Sequence, residues 1–184
     1  MFESIEKILK RRVLTERRFR VINHWFLALF LNINKKYSAA AEQYNMISEH
    51  LSNDPMWRYQ SIKCRYKAKE YIEVNKSCNE FLSSTYDKDF NLLTKRITVF
   101  IYWYAGISAA ITENYENAIS NLNTYLSLHK SQKVKADVFE WMGFSHLKLN
   151  QYKLAYKYYS EAIKRDPLNE SSLVNLKKLK KILD

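Results

Sequence analysis

The chain has 184 residues, 47% hydrophobic and 27% charged, with only two glycines and two prolines. That composition excludes a disordered chain and argues against the turn-rich β-sandwich and doubly wound α/β folds, leaving helices joined by short corners around one continuous core. The net charge of +11 favours an acidic partner, or weak attraction to nucleic acid or anionic lipid, and says nothing about fold.

Residues 1–20 carry seven Lys/Arg against three Asp/Glu, with Phe2, Ile5, Ile8 and Leu9 spaced for one helical face. They read as an amphipathic basic helix running towards the next element. Arg11, Arg12, Arg17, Arg18 and Arg20 are suited to phosphate contacts, so a nucleic-acid-binding regulator is the rival reading from another class. No RNA-recognition motif accompanies them, and positive charge meets aromatics only around Lys63 and Lys67. The reading therefore goes to arginines that steer an acidic protein partner. The basic leader, the apolar run Trp25–Leu31 and Ser38-Ala39-Ala40-Ala41 together mimic a secretory signal. Lys35 and Lys36 interrupt the approach to that cut, and the charged leader is too long. The run is also too short for a bilayer span, so no transmembrane segment and a cytoplasmic location are expected.

Beyond residue 20 the sequence repeats itself. Lys35-Lys36-Tyr37, Lys69-Glu70-Tyr71, Glu113-Asn114-Tyr115 and Asn150-Gln151-Tyr152 echo one another, each followed three residues later by Ala40, Val74, Ala118 or Ala155. Setting each tyrosine at position 17 of a 34-residue unit gives repeats 21–54, 55–88, 99–132 and 136–169, with both glycines, Gly106 and Gly143, at position 8. The second repeat fits least well, with Arg58, Ile62 and Arg65 at positions 4, 8 and 11. The third departs at Ala105, Ala109, Tyr125 and Lys130, and residues 89–98 ahead of it lengthen its first helix through Leu92, Leu93 and Ile97. After the fourth repeat, residues 170–184 put Leu173, Leu176, Leu179 and Ile182 on one helical face and four lysines off it. That pattern is a capping helix behind an Asn169 N-cap.

In the last unit Phe139, Met142, Gly143, Ala155, Tyr159, Ala162 and Pro167 stand at positions 4, 7, 8, 20, 24, 27 and 32. The segment resembles the tetratricopeptide repeat, departing only at His146 in position 11. The resemblance implies an all-α, right-handed superhelical solenoid of about four helix pairs, with an N-terminal helix and the cap. It implies a protein-interaction module, an adaptor or chaperone holding a peptide or helix of a partner in a concave groove. A toxin-neutralising, immunity-type binder is another form of the same role. In this family the first helix of each pair lines the groove, which places Trp25, Leu29, Tyr59, Lys63, Tyr66, Phe100, Trp103, Ile107 and Phe144 among the partner-binding side chains. Carboxylate-clamp members use Lys, Asn and Arg where this chain has Trp25, Leu29, Gln60, Phe100 and Tyr104, so that subclass does not fit. The same groove residues are alternatively covered by a terminal helix or by a homodimer.

No Walker loop, paired CxxC, HExxH or GxSxG occurs, and His24, His50, His129 and His146 are scattered, so no enzyme, no metal and no cofactor are expected. Cys64 and Cys78 read as reduced packing thiols.

Overall fold

The computed structural model describes residues 5, 7–8, 20–51, 54–84, 92–129 and 134–184. Among them the secondary structure is helical: α1 (Arg20–Ile33), α2 (Tyr37–His50), α3 (Pro55–Lys67), α4 (Tyr71–Ser84), α5 (Leu92–Ile111), α6 (Tyr115–Leu128), α7 (Ala136–Lys148), α8 (Tyr152–Arg165) and α9 (Glu170–Leu183). The N-terminal helix expected over 1–20, with its arginines 11, 12, 17 and 18, lies almost wholly outside the described residues. The chain divides into two compact units, Met1–Ile101 and Tyr102–Asp184, and the boundary falls inside α5.

The four repeated tyrosines, Tyr37, Tyr71, Tyr115 and Tyr152, each open a helix. The corners that precede them share one geometry. Lys35, Lys69, Glu113 and Asn150, all at position 15, have φ between 59° and 64°. At each corner two backbone bonds close the helix end. Lys36 N–H donates to Leu31 O and Lys35 N–H to Asn32 O, and the same pair recurs at 70/69, 114/113 and 151/150. This is the Schellman arrangement, which satisfies the last carbonyls of the preceding helix. Glycine usually occupies such a left-handed position, yet none does here, and the strain at Lys35, Lys69 and Glu113 is of order 1 kcal/mol each. Two other helix starts use side chains. The Asp54 carboxylate accepts from Met56 N–H at 2.8 Å ahead of Pro55, and Asn169 Oδ1 accepts from Ser172 N–H at 2.8 Å.

Packing follows the 34-residue register. Ala40, Val74, Ala118 and Ala155, at position 20, are each fully buried. Positions 8 and 24 form a size-matched set: Ala28 with Tyr44, Ile62 with Cys78, Gly106 with Leu122, Gly143 with Tyr159. At the two glycines the fit is direct. A Cβ on Gly106 would lie 2.6 Å from the Leu122 side chain, and one on Gly143 would lie 2.9 Å from the Tyr159 ring. Small residues there let the paired helices approach, which is why the glycines sit at this register.

In the first unit Leu27, Ala28, Leu31, Ala40, Ala41, Tyr44, Ile47 and Cys64 form one apolar cluster, with Trp57 stacked on Tyr44 at 6.0 Å. The Ser61 hydroxyl ties α3 to α2 by donating to Ala41 O at 3.0 Å. In the second unit Ala155, Tyr159 and Leu179 hold α9 on the α7–α8 pair, and Asn169 Nδ2 donates to Glu140 Oε2 at 2.7 Å. Both cysteines are free and buried, and burial pushes the Cys78 thiol far up from its usual range.

Candidate functional site

The first helices of the pairs carry the aromatic surface. Helix α1 contains no charged residue after Arg20, and only one stripe of it is buried, through His24, Leu27, Ala28 and Leu31. The opposite stripe therefore has to present apolar side chains to solvent. Trp25 is 39% and Phe26 50% exposed, with their rings 5.0 Å apart, and Ile22 and Ile33 are exposed beside them. Leu29 is half-buried. Phe26 was not singled out from the sequence, although its adjacency to Trp25 in an uncharged helix was the available signal.

Tyr59, Lys63 and Tyr66 stand on α3 at half-buried positions. Tyr59 reaches Phe100 of α5, with ring centroids 6.3 Å apart, so these two expected residues come together within the first unit. Phe100 stays 43% exposed. Tyr66 makes an edge contact with Tyr71 at 5.7 Å, and Lys67 lies 5.1 Å over the Tyr37 ring. Two aromatic pairs and an ammonium on helices that pack together give a surface able to bury apolar anchors and attract a carboxylate.

The second unit offers less. Trp103 is half-buried and already engaged: its indole N–H hydrogen-bonds the Asp137 carboxylate, and Lys135 lies 5.9 Å over its ring. Burial pushes the Asp137 carboxyl up from its usual range, and the Lys135 ammonium only partly offsets this. Phe144 packs between Tyr115 at 6.0 Å and Trp141 at 5.6 Å, with the Lys148 ammonium 5.4 Å over its face. Ile107 corrects the sequence reading, because it is fully buried and offers no surface. Tyr104, Ala105, Ile107, Ser108, Ala109 and Ala110 are all buried, so α5 is enclosed along the stretch from Tyr104 to Ala110.

The histidines inside the helix pairs are held by local partners. His24 Nδ1 bonds Gln43 Oε1 at 2.8 Å, and His146 bonds Gln151 while stacking on Tyr158 at 5.1 Å. Among the described residues no cluster of three or more His, Cys, Asp or Glu has metal-binding geometry. No helix among them is long and apolar enough to cross a membrane.

Comparison with known proteins adds a family match for one segment and a fold for the chain. Residues 136–169 match the family model of the tetratricopeptide repeat. No curated protein matches the chain. Among solved structures, a MamA fragment from Desulfovibrio magneticus RS-1 is 13% identical, with a TM-score of 0.73 over 89% of this chain and 85% of that one. PilF from Pseudomonas aeruginosa is 18% identical, with a TM-score of 0.67 over 99% of this chain and 77% of that one. A complex of the yeast Sti1 TPR2AB domain with pHSP90 is 10% identical, with a TM-score of 0.52 over 89% and 84%. At these identities the likeness is one of fold.

Proposed function

Since residues 136–169 are a tetratricopeptide repeat and the chain has the all-α solenoid fold of tetratricopeptide proteins, we propose that it is a protein–protein interaction module. Its task is to hold a peptide or helix of a partner protein, as an adaptor or chaperone, without turning over a substrate. The observation that carries this reading is the exposure of Trp25, Phe26 and Phe100 on the first unit. Large aromatics left half open to water lose favourable burial on every molecule that stays unbound, and they are the residue type that dominates binding energy once covered. The Sti1 neighbour is a precedent of the same fold seen in a complex with pHSP90.

Trp25, Leu29, Tyr59, Lys63, Tyr66 and Phe100 are the primary contact set. Lys63 and Lys67 give it a preference for an acidic or carboxylate-bearing segment. Trp103 and Phe144 support their own unit first and a partner second, because each is already packed in aromatic and charged contacts. The proposed setting is cytoplasmic, where Cys64 and Cys78 stay as thiols.

Partner capture by the purified chain tests the proposal, with Trp25→Ala and Phe100→Ala beside the wild type. Loss of the captured partner with unchanged melting supports the reading. Full capture by both variants, or melting that collapses in both, returns these aromatics to a structural role and removes the proposed surface.

A further inference from the structure

Repeat two breaks the packing pattern at position 4, where Arg58 stands in place of the buried Phe139 of repeat four. Arg58 lines a cavity of about 340 Å³ among α2, α3 and α4 of the first unit. Its polar lining includes Asn45, Glu49, Arg58, Ser77, Glu80 and Ser84. A volume of this size is at the small end of ligand cavities, which run from about 300 to 1,000 Å³.

The corresponding positions of the second unit are arranged differently. There Arg165, at position 30, lies 3.9 Å over the Phe139 ring and pairs with Glu161 at 2.8 Å. Arginine, aromatic ring and carboxylate satisfy one another. In the first unit position 30 is Ser84, too short to reach over a ring as Arg165 does. Arg58 crosses 5.1 Å over Phe81 and donates from Nη1 to Ser84 Oγ at 2.7 Å. That is one of the five N–H donors of a guanidinium. Among the described residues neither Glu49 nor Glu80 forms an ion pair with it or with any other cation.

Two of the charges also stand at unfavourable ends of their helices. Arg58 is in the first turn of α3, where the helix dipole is positive, and Glu49 is in the last turn of α2, where it is negative. Partial burial disfavours the Arg58 charge further, offset in part by Glu80. A guanidinium and two carboxylates held apart around an open polar space are complementary to a ligand that carries both signs.

We infer that this cavity binds a small zwitterion with the chemistry of a free α-amino acid: Arg58 takes its carboxylate, Glu49 and Glu80 its ammonium, and Asn45 and Ser77 its remaining polar atoms. A lone anion meets two carboxylates, and a lone cation meets the guanidinium, so neither half-ligand suffices. The site is separate from the aromatic partner surface and does not depend on it.

The test is a titration of the purified full chain with each of the twenty L-amino acids in turn, followed by amide NMR shifts of residues 45–49 and 77–84. The expected result is saturable binding of at least one of them, about tenfold tighter than its N-acetyl derivative and its carboxamide. Arg58→Met and Glu80→Gln are each expected to weaken that binding about tenfold. Glu80 is exposed, so its variant keeps the test meaningful if Arg58→Met fails to fold. The inference is overturned if none of the twenty binds at roughly 10 mM. It is also overturned if the blocked derivatives bind equally well, or if Glu80→Gln leaves affinity unchanged.

Discussion

The crossings of α3 with α4 and of α7 with α8 fill the same register from opposite directions. Repeat four puts Gly143 at position 8 and the large Tyr159 at position 24, whereas repeat two puts Ile62 at position 8 and Cys78 at position 24. All four are buried to the same degree. The larger residue thus moves from the second helix in repeat four to the first helix in repeat two, and both pairs stay buried. A repeat that looks degenerate by residue matching is still a repeat by packing.

The comparison breaks most sharply if volume is removed where the large residue sits on the first helix. Ile62→Ala should cost about 2–5 kcal/mol of stability in chemical denaturation, because Cys78 is too small to refill the space. Adding volume to repeat four is the mirror experiment. Gly143→Ala drives a Cβ towards the Tyr159 ring at 2.9 Å, in a fully buried setting, and is expected to cost about 1–3 kcal/mol. If Ile62→Ala is neutral, or Gly143→Ala stabilises, the exchange of volume is not what holds these crossings.

A third contrast lies at position 2, which is Met56 in repeat two and Asp137 in repeat four. The folded-state Asp137 carboxyl titrates above its usual 3.8, so the native state binds more protons there than the unfolded chain does. Stability from this group is present at low pH and is lost as pH rises through the folded-state value. Asp137→Asn should therefore raise the melting temperature at pH 7, with the gain vanishing below the ordinary carboxyl range. A gain that persists unchanged at pH 3 assigns the effect to something other than ionisation.

The smallest expected difference is at the corners. Lysine tolerates the left-handed conformation less well than asparagine does, so Lys69→Gly should help by about 0.5 kcal/mol and Asn150→Gly by less. Equal effects in repeats two and four would mean the corner strain is relieved elsewhere.

Much of this architecture is legible in the residues themselves. Position 17 tyrosines mark the starts of α2, α4, α6 and α8, and the glycines mark two helix crossings, because each signal depends on a local steric demand. The candidate site is only partly legible. Register says which side of a helix a residue occupies, but not what else packs on that side, and so Ile107 was misjudged while Trp25 and Phe100 do reach solvent. The uncharged run from Tyr104 to Ile111 was the available warning that α5 is enclosed there. The division inside α5 has no mark in the sequence. Nor does the Arg58 cavity announce itself, since an arginine at a packing position has meaning only once its unpaired neighbours are located.

Cys78 gives repeat two an internal stopwatch. A thiol that is wholly enclosed, and whose ionisation is strongly suppressed, reacts with an alkylating reagent only in the moments when α3 and α4 part. In a Cys64→Ser background the rate of Cys78 alkylation counts those moments with no dye or tag introduced. Any ligand that clasps α2, α3 and α4 together slows the count.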